Sequence, residues 1–203
     1  MMSTEQAIRV LIETATPVIY ISKVHLDKPK WCRNVPLSDN RYGPWVDADW
    51  ELLNEKIWKN REPCMYLVIG SDGNLRYVGI SRKRMKDRWR VSPAYNPKTM
   101  ELLTGKRLFH SQCWVRVEDE CSRNPDATFL VKCLTGTELE RILETHDMEL
   151  SGLLTLRGDA EGIAASVERW ICNKSGVDIA RWNVAMTGRA RSLESIRDLE
   201  KGK

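Results

Sequence analysis

The chain has 203 residues, with 32 Lys and Arg against 28 Asp and Glu and a formal net charge of +4. Its 42% apolar and 30% charged residues are the balance of a soluble globular chain and exclude disorder throughout. No apolar run approaches the roughly 18–20 residues that span a bilayer, and MMSTEQAIRVLIETA carries acidic residues where a signal peptide needs a basic start; a cytoplasmic protein with no membrane partner is expected.

In chain order, Ser3 with Gln6 reads as a capping box opening a short helix through Thr14. TPVIYISKV then has the β-branched content of a strand. Residues 25–45, punctuated by Pro29, Pro36 and Pro44, predict a loop or arm. Asp47 is placed to cap a helix through Asn60, with Trp50, Leu53, Ile57 and Trp58 near helical spacing. CMYLVIG and LRYVGIS, joined across an Asp-Gly turn, predict a β-hairpin. RKRMKDRWR predicts a short basic helix lasting until Pro93, followed by a loop. QCWVRVE and TFLVKCL read as further strands, Glu138 to Leu156 and Asp159 to Lys174 as helices, Gly176 as a stop, and Ser192 to Lys201 as a peripheral helix. With no repeat or second composition regime, the expected class is α+β, a small antiparallel β-sheet (the hairpin plus a further strand) flanked by helices.

The six cysteines (32, 64, 113, 121, 133 and 172) show no close pair, so free buried thiols are the plain reading. A zinc set of His110, Cys113, Cys121 and Cys133 lacks the two-to-four-residue spacing of structural zinc sites. Charge is unevenly placed. Residues 76–90 hold seven basic residues against Asp87, whereas residues 118–149 hold nine acidic against three basic. A basic run is usually a solvated helix face, but a local excess is also the footprint of a polyanion site. Arg76, Arg82, Lys83, Arg84, Lys86 and Arg90 are accordingly candidate DNA contacts.

Tyr66 and Tyr77 stand on the two arms of the hairpin, and Arg88 with Trp89 follows eleven residues after Tyr77. Glu168 lies within VERWICNKSG, and Asn183 within RWNVA. This ordered set resembles the GIY-YIG nuclease family, with Cys64-Met65-Tyr66 in the place of Gly-Ile-Tyr and Tyr77-Val78-Gly79 in the place of Tyr-Ile-Gly. The resemblance covers about Pro63 to Ala185. It departs in the first tripeptide, which has lost Gly and Ile, and at Ser92, where many relatives carry His or Tyr; His110 is the candidate substitute.

The resemblance implies phosphodiester hydrolysis by direct water attack. Tyr66 would take the proton from the water, Tyr77 would help position it, Arg88 would bind phosphate, Glu168 would hold Mg²⁺ (or Mn²⁺), and Asn183 would support them. A free phenol has a pKa of about 10, so Tyr66 needs the metal, Arg88, His110 or Lys86 to lower it. Each residue also has a plainer reading: the tyrosines as strand packing, Arg88 and Glu168 as surface charges, Asn183 as a turn residue. The implied layout is an N-terminal extension (1–62) forming a DNA-embracing arm and helix, a nuclease core (63–186) with an insertion around 92–158, and a C-terminal tail (187–203). Trp31, Trp45 and Trp50 near the arm are candidates for base contact as well as for packing. This layout is most like the GIY-YIG type II restriction endonucleases, implying double-stranded DNA as partner, a homodimer on DNA or two successive engagements, and no nucleotide cofactor. The alternatives are a nuclease of low specificity from a phage, mobile element or repair system, and a catalytically inactive DNA-binding module.

Overall fold

A computed structural model describes residues 2–28, 46–96, 98–110, 113–146, 160–174, 180, 182 and 183. The class is α+β. Helix α1 (Thr4–Thr14) begins on the Ser3–Gln6 capping box, in which each side chain accepts from the other residue's backbone N–H. It leads into strand β1 (Thr16–His25). Strand β2 (Asp47–Leu52), helix α2 (Glu55–Lys59), strands β3 (Cys64–Gly70) and β4 (Leu75–Ser81), and helix α3 (Met85–Arg88) follow. The chain continues as β5 (Arg90–Tyr95), β6 (Leu102–His110), α4 (Trp114–Arg123), β7 (Phe129–Thr135), α5 (Gly136–Thr145) and α6 (Ala160–Lys174).

Five strands form one antiparallel sheet in the order β2-β1-β7-β3-β4, and β5 and β6 pair separately as a two-stranded ribbon. The expected hairpin is the β3–β4 pair, and the expected further strand TFLVKCL is β7, which lies at the centre. At the β3–β4 turn Gly73 has φ +79°, a left-handed conformation that costs a residue with a Cβ about 1–2 kcal/mol. All seven residues of β3 are buried, because both faces of the sheet are covered. Met65, Leu67 and Leu134 face α1, α5 and α6. Tyr66, Val68 and Cys133 belong to the other core, under Met85, Trp89 and Trp114. Among the described residues no helix is long and apolar enough to cross a membrane.

Several expectations are corrected. Asp47 does not cap a helix: 47–52 is the edge strand β2, registered with Trp50 opposite Ile21 and Leu52 opposite Ile19. The helix is the single turn α2, capped by the Asn54 side chain accepting from Ile57 N–H at 3.0 Å. The basic helix is likewise one turn, α3, and the chain beyond Trp89 is strand β5, running through Pro93. The segment QCWVRVE lies largely in helix α4, where Trp114, Val117 and Cys121 are buried on one stripe. Helix α5 ends at Thr145, short of Leu156, and starts on a second capping box, Thr135 with Glu138. The stretch 1–62 supplies β1 and β2 of the five-stranded sheet, and 92–158 supplies its central strand β7. Most of the 25–45 arm, with Trp31 and Trp45, and Gly176 and the 192–201 helix lie outside the described residues.

Candidate functional site

Tyr66 points from the middle of β3 into the core shared with α3 and α4, opposite Gly79 on one side and Cys133 on the other. Arg88, the last residue of α3, donates from Nε to the Tyr66 Oη at 3.0 Å, and its guanidinium stands 6.0 Å from the Tyr66 ring centroid. The Tyr77 ring is 5.8 Å from that of Tyr66 and tilted by 32°. Arg88 and the two phenols also act on one another electrostatically. Trp89 closes the inner side with its ring edge-on to Tyr66 at 5.9 Å. One guanidinium thus fixes the Tyr66 phenol, and Tyr77 packs beside it from the neighbouring strand.

The close approach depends on Gly79. A Cβ at that position would stand 2.6 Å from Tyr66 Cζ and Oη and 2.7 Å from Tyr77 Cε1. Glycine is therefore needed here for space, since the Tyr66 phenol lies directly over the β4 backbone.

Glu168 reaches the cluster from α6, which packs against β3 and β4. It is 7% exposed, and burial pushes its carboxyl up to about 7 against the pull of Arg88 and Arg169. It lies within electrostatic reach of Tyr77 as well. Burial, reinforced by the neighbouring Tyr77, holds the Tyr66 phenol well above its ordinary value despite Arg88. Tyr77 is raised by burial and Cys113, again against Arg88. Burial works against the charge on Arg88, yet the two phenols raise its pKa further, so its positive charge is secure.

Asn183 takes no part in this cluster directly. Its Oδ1 accepts from Val78 N–H at 2.8 Å and its Nδ2 donates to Val78 C=O, so the amide occupies both backbone groups of the residue after Tyr77. The backbone N–H groups of Ala180 and Trp182 donate to the carbonyls of Leu75 and Arg76, which pairs the outer edge of β4. His110 ends β6 opposite Arg90; the side chains of both, and that of Ser92, lie outside the described residues.

Sequence reasoning thus brings Tyr66, Tyr77, Arg88 and Glu168 together, with Asn183 one residue behind. It misses Cys113, which lies beside both phenols and carries no local signal for that position. Among the proposed DNA contacts Arg76 is corrected: it is 7% exposed, with Nε on the Glu120 carboxylate at 2.9 and 3.0 Å and Nη2 on Asp72 at 2.8 Å. It is a buried structural cation. Arg82 pairs with Glu161 at 2.8 Å and Arg84 with Asp87 at 3.0 Å, whereas Lys83 and Lys86 are exposed.

Among the described residues no group of three His, Cys, Asp or Glu side chains is gathered as a metal site. Mg²⁺ does not require one, because it keeps several waters and commonly takes one or two carboxylates plus substrate phosphates. A nearly buried carboxylate in the field of an arginine fits that demand. No family model, curated protein or solved structure matches the chain.

Proposed function

We propose that the chain is a GIY-YIG-like endonuclease that hydrolyses phosphodiester bonds of double-stranded DNA with Mg²⁺ or Mn²⁺. The observation carrying this reading is the hydrogen bond of Arg88 to Tyr66, with the Tyr77 ring packed beside it and the buried carboxylate of Glu168 in its field. Phosphoryl chemistry needs a fixed positive charge where charge develops on the phosphate oxygens. Arg88 supplies it, with its orientation fixed by the Tyr66 phenol and its remaining N–H groups as donors for a phosphate. Glu168 is the residue that would hold the metal, which when bound supplies Lewis-acid stabilisation and an acidified water. Tyr77 and Tyr66 hold the arginine and, in this reading, hand on a proton; Asn183 fixes the strand that bears Tyr77.

The restriction-enzyme assignment, a cytoplasmic setting and two sites acting on two strands, as a dimer or in succession, belong to the same reading. A second reading is favoured by one specific observation: Tyr66 is 1% exposed and its phenol is held protonated by burial. A phenol so enclosed is poorly placed to take a proton from water, as expected of a DNA-binding module that keeps the fold without catalysis.

Incubation of purified protein with supercoiled and linear plasmid, with and without Mg²⁺, beside Glu168→Ala, separates the two. The nuclease reading expects metal-dependent cleavage that falls by at least about two orders of magnitude in the variant. Discrete fragments favour sequence-specific cutting and a smear favours low specificity. Binding of DNA without any cleavage favours the module.

A further inference from the structure

The β5–β6 ribbon is unused by the site just described. It leaves the core at Trp89, one residue after Arg88, and its strands pair from Arg90 with His110 to Tyr95 with Leu102. The inner side is seated: Ala94 is buried and Leu103 packs on the core, while β6 touches the edge strand β2. The end beyond is open. Lys98, Thr99, Glu101, Leu102 and Thr104 are exposed, and Leu102, at 55%, is the most exposed large apolar side chain among the described residues. Asn96 accepts from the N–H groups of Lys98 and Thr99 at 2.9 and 3.3 Å, which gives the tip a fixed shape.

Its charge continues the basic run of 76–90 and is opposite to that of the segment that follows. Residues 90–110 contain Arg90, Lys98, Lys106 and Arg107 against Glu101 alone, whereas 118–149 hold nine acidic residues against three basic. Lys98 at the tip is ten residues from Arg88, so phosphates held at both ends would belong to one stretch of the same duplex. A major groove about 12 Å wide admits a two-stranded antiparallel ribbon.

We infer that the β5–β6 ribbon enters the major groove of the duplex whose phosphate lies at Arg88, and contacts base edges and flanking phosphates there. This rests on the proposed function only for its partner, double-stranded DNA; it is independent of whether the chain cleaves.

The test is fluorescence-anisotropy titration of a pool of random-sequence duplexes, without divalent metal, using the parent and Lys98→Ala/Lys106→Ala/Arg107→Ala. The triple variant alters charge only at the ribbon, and unchanged thermal midpoint and far-UV circular dichroism are required of it. The ribbon variant is expected to bind at least tenfold more weakly at about 0.1 M salt, with the slope of log affinity against log salt shallower by about one for each phosphate that it no longer neutralises. Methylation of guanine N7, which lies in the major groove, is expected to weaken binding by the parent and to have little further effect on the variant. A folded variant that binds like the parent, or indifference of the parent to N7 methylation, would overturn the inference while leaving the nuclease proposal standing. A parent that binds no duplex overturns both. If the triple variant does not fold, Lys98→Glu alone, at the exposed tip, carries the same expectation with a smaller loss.

Discussion

A carboxyl group that folding encloses to 7% exposure costs more to ionise inside than in the open chain, and at Glu168 burial raises its pKa from 4.5 to about 7 despite Arg88 and Arg169. Between these two values the folded protein keeps a proton that the unfolded chain has released. Stability from this group is therefore complete at the acid end and declines as pH rises to about 7, where the cost is on the order of 2–3 kcal/mol. Glu168→Gln removes the cost, so its melting temperature should match the parent near pH 4.5 and exceed it by about 5–10 °C at pH 8. A difference that does not vary with pH would refute the buried-carboxylate account. Gly79 gives a second prediction. Gly79→Ala would force a Cβ to within 2.6 Å of the Tyr66 phenol and should cost about 1–3 kcal/mol, with a change in the near-ultraviolet tyrosine signal. Gly73→Ala has open space around it and only its φ of +79° to contend with, so it should lose about 1–2 kcal/mol with that signal unchanged. Arg76 is the third case. Arg76→Met removes the guanidinium from the buried Glu120 carboxylate and should destabilise by about 3–5 kcal/mol in a denaturant titration, whereas Lys83→Ala should stay within about 0.5 kcal/mol. Equal stability of the two variants would make Arg76 a candidate for DNA binding again.

At the scale of elements, the caps and the turn are the most local features and the most legible. Ser3 with Gln6, the Asp-Gly turn, and the stretch TFLVKCL each declare themselves within seven residues or fewer. Thr135 with Glu138 carries the same signal as Ser3 with Gln6 but stands at the end of a strand, where the eye reads β-content instead. Thr135→Ala should cost about 1 kcal/mol in thermal unfolding, and no loss would contradict the cap. What is not legible depends on partners far away in sequence. In CWVRVE, Val115 and Val117 alternate like a strand, but Val115 is exposed and the buried stripe is Trp114, Val117 and Cys121, a pattern that a six-residue window cannot separate from alternation. Residues 47–52 look helical because Trp50 and Leu53 lie three apart, and only pairing with β1 makes them a strand. The site divides along the same line. Tyr66, Tyr77, Arg88 and Glu168 are legible as an ordered motif, whereas Cys113 and the burial that encloses Tyr66 come from packing and leave no local trace.

At the scale of the molecule, the sheet joins the beginning of the chain to its middle. Strand β1 hydrogen-bonds the central strand β7 along Thr16–Ile21, and α1 covers the face that Leu67 and Leu134 share. A fragment beginning at residue 63 would expose the edge of β7 and that apolar face together. It should give a collapsed or insoluble chain without a cooperative thermal transition, and a cooperatively melting fragment would show that β1 and β2 are dispensable. Arg88 on α3 and Glu168 on α6 are likewise far apart in sequence, and the sheet sets their spacing. The central claim is that Tyr66, Arg88 and Glu168 act as one site on DNA phosphate. Its most direct test is the single-turnover rate of Mg²⁺-dependent plasmid cleavage for Tyr66→Phe, Arg88→Ala and the double variant, with all three confirmed folded. Groups acting as a unit lose rate non-additively, so the double variant is predicted to be hardly slower than the worse single one. Losses that multiply, or a cleavage rate indifferent to either residue, would contradict it.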